Sequence, residues 1–300
     1  MGSTLTSVVL PISLAVVMFG LGLSLTVADF TRVRHSPRAV VVALCCQLLV
    51  LPAVCFGLVL LLDLEPVHAA GMMLLAASPG GVSANLFSHL FRGDVALNIS
   101  LTAINSVLSV LTLPLVTGFA LAYFDPPGVD DGVGLQLGKV LQVFAIVLVP
   151  VVVGMLVRRA APAFAARMDR SVRILSVLVL VAVVTGTVIA ERENVTEYLS
   201  SVGPAATAFC LISLTTGYVV PRWFGVGQRQ AIACSMEIGV HNSALAITIA
   251  ISVLDSTALA VPAAVYSLAM FVCAALVGRI VARRALAEES PVEARPVPPR

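Results

Sequence analysis

The chain has 300 residues, of which 59% are hydrophobic and only 11% charged; its mean hydropathy is +1.04 and its formal net charge +2. Soluble globular proteins carry about 25% charged residues, so too few charges remain here to cover a water-facing surface, and lipid is the main solvent expected. No basic block suggests nucleic acid, no CxxC or HExxH spacing suggests a transition metal, and the six cysteines all fall in apolar runs, where they read as small packing residues.

A helix needs about 20 apolar residues to cross a bilayer. Nine such stretches are predicted, at 8–28, 38–62, 67–91, 95–123, 136–157, 172–190, 200–221, 229–253 and 257–282. The first lacks a basic segment ahead of it and a cleavage site after it, so it reads as retained. Residues 285–300 are polar and proline-rich and read as a disordered cytoplasmic tail. Everything before them, 1–284, reads as one all-α transmembrane domain.

Basic residues in loops set orientation. Taking alternate loops from the first as cytoplasmic collects 16 of the 18 Lys and Arg on one side, leaving only Lys139 and Arg192 on the other. Splitting or merging one span would scramble that separation. The expectation is therefore nine spans, N-terminus outside and C-terminus inside, in a plasma (inner) membrane.

The third span is interrupted by Pro79, Gly80 and Gly81. Proline removes a backbone donor, and Pro-Gly-Gly predicts an unwound segment. Irregular backbone at membrane depth persists only where protein or a water-filled cavity satisfies it. The eighth span carries a second interruption, placed at Glu237–Gly239, within the stretch SMEIGVHNSA. Glu237 lies eight residues from Arg229, roughly 12 Å into a core about 30 Å thick. An ionised group there costs at least about 2.5 kcal/mol unless paired or hydrated.

The two breaks resemble each other (GGVSAN and IGVHNS) and run in opposite directions through the membrane. That is the trace of an inverted repeat, with two discontinuous helices crossing at mid-membrane. The half-helices after the breaks are predicted to begin near Val82 and His241, each pointing a positive dipole end at the crossing. Such ends favour an anion, while Glu237 and freed carbonyls favour a cation. On the fourth span Asn98, Thr102, Asn105, Ser109 and Thr112 share one helical face. Asn98 and Thr102 read as cation ligands, and Ser109 and Thr112 as a polar seam between helices.

The chain resembles the bile acid:sodium symporter family over nearly its whole length. The resemblance rests on SPGGVSANLFSHLFRGDVALNISLT at 78–102, EIGVHNSALA at 237–246 and, more weakly, QLLVLP at 47–52. It implies a core domain of crossed broken helices (about 38–123 and 200–284) beside a panel domain (about 8–28 and 136–190), carrying an organic anion inward with Na⁺ by alternating access. One sodium site would use Asn85, Asn98, Thr102 and Glu237. The other would use Gln47, Glu237, the backbone of Ile238 and Val240, and His241, which stands where the family has Gln. Asn242, with Asn105 and Ser83, would lie beside the substrate. Pro79, Gly80, Gly81 and Gly239 would form the helix breaks. Ala84 replaces a common Ser, and Ala269 and Met270 replace a polar pair of the bacterial bile-acid carriers, so a bile acid is not implied as the substrate.

No cofactor is expected, Na⁺ is the coupling ion, and a monomer in the bilayer is the expected state. Three other readings stay open. Imidazole at 241 is compatible with proton coupling. A related fold exports arsenite with a Cys near the break, where this chain has Ser78. An intramembrane enzyme would have to rely on His241 and Glu237 alone.

Overall fold

The computed structural model describes residues 31–127, 137–168 and 195–289, with isolated positions between 12 and 28 and between 171 and 185. Most of the expected sixth span, nine of the 21 positions of the expected first span, and residues 290–300 of the expected tail lie outside the described residues. The described chain is helical and contains no β-sheet. Its helices are α1 (Pro37–Leu61), α2 (Pro66–Ala77), α3 (Val82–Leu90), α4 (Val95–Phe124), α5 (Leu137–Ala160), α6 (Val195–Trp223), α7 (Gln228–Gly239), α8 (Ser243–Ser252) and α9 (Val261–Glu289).

Local chemistry accounts for the boundaries. Pro37 and Pro66 sit in the first turns of α1 and α2, where a missing N–H costs nothing. Asp94 caps α4 by accepting the Leu97 N–H at 3.0 Å, and Asn242 caps α8 by accepting the Leu245 N–H at 3.1 Å. α4 ends at Asp125 in the left-handed conformation. α9 continues to Glu289, five residues into the segment expected to be tail.

Among the described residues four helices are long and apolar enough to cross a membrane: Pro37–Leu61, Val95–Phe124, Glu197–Trp223 and Ala258–Arg283. The expected third and eighth spans are each two short helices. α2 and α3, with 12 and 9 residues, are about 18 and 14 Å long at 1.5 Å per residue, so together they match one bilayer core. α7 and α8 divide the other span in the same way.

Three of the four half-helices, all but α3, lie inside the bundle. His68–Ala77 of α2, Ala231–Gly239 of α7 and Ser243–Ala250 of α8 are buried without interruption, as expected of helices that are apolar or small all round. α6 packs along α7 and α9, and α2 along α4. Gly217 permits the first of these contacts, since a side chain there would press on the backbone of Cys234 and Ser235. The outward faces of α1, α4 and α9 are apolar and exposed, at Leu49, Leu61, Leu111, Leu115, Leu276 and Ile280. Such a surface suits acyl chains.

One boundary differs from the sequence expectation. The second break is not at Glu237–Gly239: α7 runs through Gly239, and the irregular residues are Val240, His241 and Asn242. The following half-helix begins at Ser243 rather than near His241, because Asn242 supplies the cap. Glu237 therefore projects from a regular last turn of helix.

Candidate functional site

The two breaks are bonded to each other. Gly81 N–H donates to the Val240 carbonyl at 2.7 Å and Asn242 N–H to the Pro79 carbonyl at 2.9 Å, with Gly80 opposite His241 in an antiparallel bridge. Backbone groups that each helix gives up on unwinding are thus satisfied by the other, which is the condition for irregular backbone away from water. The sequence halves that read as a repeat meet in space.

Glu237 is fully buried beside this pairing. Three donors from one face of α4 hold its carboxylate. Asn98 Nδ2 donates to Oε2 at 3.0 Å, Thr102 Oγ1 donates to Oε2 at 2.5 Å, and Asn105 Nδ2 donates to Oε1 at 3.1 Å. The spacing i, i+4, i+7 is what aligns them. Hydrogen bonds to a charged group contribute about 1.5–3 kcal/mol each. Gly80 lies against the same carboxylate, and a Cβ at that position would overlap it. Among the described residues Glu237 has no ion-pair partner.

The amides around the breaks are used on one side only. A carboxylate accepts and never donates when ionised, so Asn98 and Asn105 must turn their NH₂ groups to Glu237. Their carbonyl oxygens, like those of Gln47 and Asn85, are buried with no hydrogen-bond partner among the described residues. A cluster of amide and carboxylate oxygens without a fixed positive charge fits a hard cation. No group of three or more His, Cys, Asp or Glu suited to a metal ion occurs among the described residues.

Gln47 reaches the site through an irregularity in α1. Residues Cys46–Val50 form a π-turn, in which the Leu51 N–H bonds the Cys46 carbonyl five residues back. Pro52 follows. It has no N–H, and its ring would clash with the carbonyl four residues earlier in a regular α-helix; the wider turn relieves that clash. Gln47 Nε2 donates to the Ser78 carbonyl at 3.0 Å. His241 Nδ1 contacts the same carbonyl at 3.2 Å, and because a carbonyl only accepts, Nδ1 carries the proton. His241 Nε2 has no partner among the described residues.

The His241 ring is held by aromatics rather than by Glu237. It stacks on Phe209 at 5.6 Å and meets Tyr266 edge-on at 5.5 Å. Tyr266 in turn donates its hydroxyl to the Gly239 carbonyl at 2.9 Å, closing the end of α7 together with the more distant Cys210 thiol.

The structure thus gathers Asn98, Thr102, Asn105 and Glu237 in one hydrogen-bonded group, and Gln47 and His241 on one carbonyl. Asn85 and Ser83 lie half-buried on α3, and Asn85 is not bonded to Glu237. The Val240 carbonyl is engaged by Gly81, and the Asn242 side chain by its capping role. Asn105, expected beside a substrate, sits on the carboxylate. Sequence reasoning missed the π-turn, although Pro52 signalled it, and Tyr266, which nothing in the sequence marked. A hydrophobic groove of about 370 Å³ between α1, α2 and α4, lined by Pro52, Phe56, Met73 and Phe119 among others, includes none of these polar groups.

Comparison with known proteins gives a consistent picture. The sequence profile of the Sodium Bile acid symporter family matches residues 11–198, more than half of the chain. A protein of Arabidopsis thaliana described as a probable sodium/metabolite cotransporter, chloroplastic, is 29% identical over 278 residues, covering 90% of this chain and 65% of that protein. An uncharacterized sodium-dependent transporter of Bacillus subtilis is 28% identical over 256 residues, covering 85% of this chain and 77% of the other. The human ileal sodium/bile acid cotransporter is 26% identical over 250 residues, covering 82% of this chain and 70% of the other.

Proposed function

The chain belongs to the sodium bile acid symporter family, and from that membership we propose that it is a sodium-coupled secondary transporter that takes up an organic anion by alternating access. The observation that carries the proposal is the buried Glu237 carboxylate, gripped by Asn98, Thr102 and Asn105 where two helix breaks pair. Na⁺ takes oxygen ligands, and two of the side chains that bond this carboxylate, Asn98 and Asn105, carry amide oxygens with no partner among the described residues.

In this reading Asn85, Asn98, Thr102 and Glu237 bind one Na⁺. Gln47, Glu237, Ile238, Val240 and His241 surround a second position. The anion sits near the N-termini of α3 and α8, within reach of Ser83 and Asn242, where helix dipoles favour negative charge. Carboxylates and sulfonates fit that chemistry. Cation binding lowers the repulsion between Glu237 and the anion, which couples the two species. The broken-helix pairs of α2–α3 and α7–α8, with α1, α4, α6 and α9, form the core, and α5 with the expected first and sixth spans forms the panel. Rocking of the core against the panel exposes the site to each side in turn, in a nine-span chain with its N-terminus outside.

Uptake by proteoliposomes tests the proposal. With a panel of radiolabelled monocarboxylates and sterol conjugates, an inward Na⁺ gradient drives accumulation of at least one compound, and choline in place of Na⁺ abolishes it. Accumulation that is unchanged in choline refutes sodium coupling.

A further inference from the structure

We propose that Asn105 is a ligand of the coupling cation on the Oε1 side of Glu237, and not a substrate residue. The proposal rests on the reading of the chain as a sodium-coupled carrier.

Among the described side chains Oε2 receives Asn98 and Thr102 and Oε1 receives Asn105, and the Gly80 backbone N–H faces the same carboxylate. An ionised carboxylate has about four lone-pair sites, so turning the Asn105 amide group away frees one on Oε1 for a cation. Asn105 is 2% exposed and its Oδ1 has no partner among the described residues. Oδ1 and Nδ2 share one carbon, so the unpartnered oxygen stays within a few ångström of Oε1. Rotating the amide by half a turn exchanges Nδ2 for Oδ1 and places two oxygens, one of them charged, around one point.

That rotation gives the residue two roles. Without the cation, the NH₂ group solvates the buried carboxylate. With the cation, the carbonyl oxygen joins Oε1 as a ligand. Thr102 and Asn98 keep Oε2 fixed throughout, so the carboxylate remains in place while Asn105 responds. A substrate anion fits this position badly, since it would bring further acceptors against a carboxylate and a carbonyl oxygen. A polar helix seam also fits badly, because a seam residue pairs both ends of its amide, and Asn105 pairs one.

Thermal unfolding of the purified full chain in detergent provides the test, with NaCl exchanged for choline chloride at constant ionic strength. A ligand that binds the folded state raises its melting temperature. Asn105→Leu removes donor and oxygen together, and the sodium concentration needed for a given rise increases at least tenfold. Asn105→Asp keeps an oxygen but sets a second carboxylate beside Glu237, so it melts below the native protein in choline and shows a larger sodium-induced rise. A purely structural Asn105 lowers melting equally in both salts and leaves the sodium concentration needed for a given rise unchanged, which overturns the proposal. Should Asn105→Leu fail to fold, Asn105→Asp decides alone, and a rise no larger than native overturns it. A native protein with no sodium-specific rise refutes the sodium reading itself, whatever the variants do.

Discussion

Thr102 on α4 donates its hydroxyl to Oε2 of Glu237 on α7 at 2.5 Å, across 135 residues of sequence. Thr102 also bonds the Asn98 carbonyl within α4 at 3.0 Å. Its hydroxyl is therefore shared between holding the helix turn and holding the carboxylate. That link ties α4, which follows the first break in sequence, to α7, which leads into the second.

Thr102→Val keeps shape and removes this donor. One hydrogen bond to a buried charged group contributes about 1.5–3 kcal/mol, and the expected outcome is a loss of stability of that size in sodium-free buffer. Chemical denaturation of native and variant protein in the same detergent measures it. Equal stability would show that the bond has no energetic role.

Gly80→Ala places a methyl group against the Glu237 carboxylate. Overpacking of this kind costs about 1–3 kcal/mol, and the carboxylate has little room to retreat because α4 holds both of its oxygens. Sodium-driven uptake should fall sharply while the protein still inserts and folds. Wild-type uptake in this variant would mean that the pairing of the breaks is looser than the geometry requires.

Pro52→Ala restores an N–H and removes the ring that favours the π-turn. Relaxation of the turn toward α-helix rotates Gln47 away from the Ser78 carbonyl. The expected effect is a higher sodium concentration for half-maximal uptake, with the maximal rate less affected. A loss of maximal rate alone would place the role of Pro52 elsewhere.

His241→Gln keeps a donor for the Ser78 carbonyl and replaces the ring nitrogen with an amide oxygen, a better partner for Na⁺. The variant should bind sodium more tightly or with a higher Hill coefficient. It should also lose about 0.5–1.5 kcal/mol of stability with the aromatic pairing to Phe209. Unchanged sodium dependence would make His241 a packing residue.

Much of the site was legible because polar residues are conspicuous in an apolar chain. Pro79–Gly81 marked one break, and Glu237–Gly239 marked the other to within three residues. The i, i+4, i+7 pattern of Asn98, Thr102 and Asn105 gave the helical face correctly, since helix periodicity is local. Partners were harder to read. Which face of α4 meets Glu237 depends on long-range packing, so the bond from the Asn105 amide to Oε1 could not be read from spacing alone. The exact break in the eighth span was missed because Asn242 competes with Gly239 as a terminator, and a side-chain cap wins when its oxygen finds the N–H three residues on. Tyr266 closes the Gly239 carbonyl from another helix, and no local pattern announces that.

Equilibrium binding of ²²Na⁺ to the purified protein tests the central claim, that the Glu237 carboxylate binds the coupling cation. Glu237→Gln preserves size and leaves the Asn98, Thr102 and Asn105 side chains in place, and Cys234→Ala on the same helix serves as the control. Saturable ²²Na⁺ binding is expected in the native protein and in Cys234→Ala, and its loss in Glu237→Gln. Binding of equal affinity and stoichiometry in Glu237→Gln, or no saturable binding in the native protein, would contradict it.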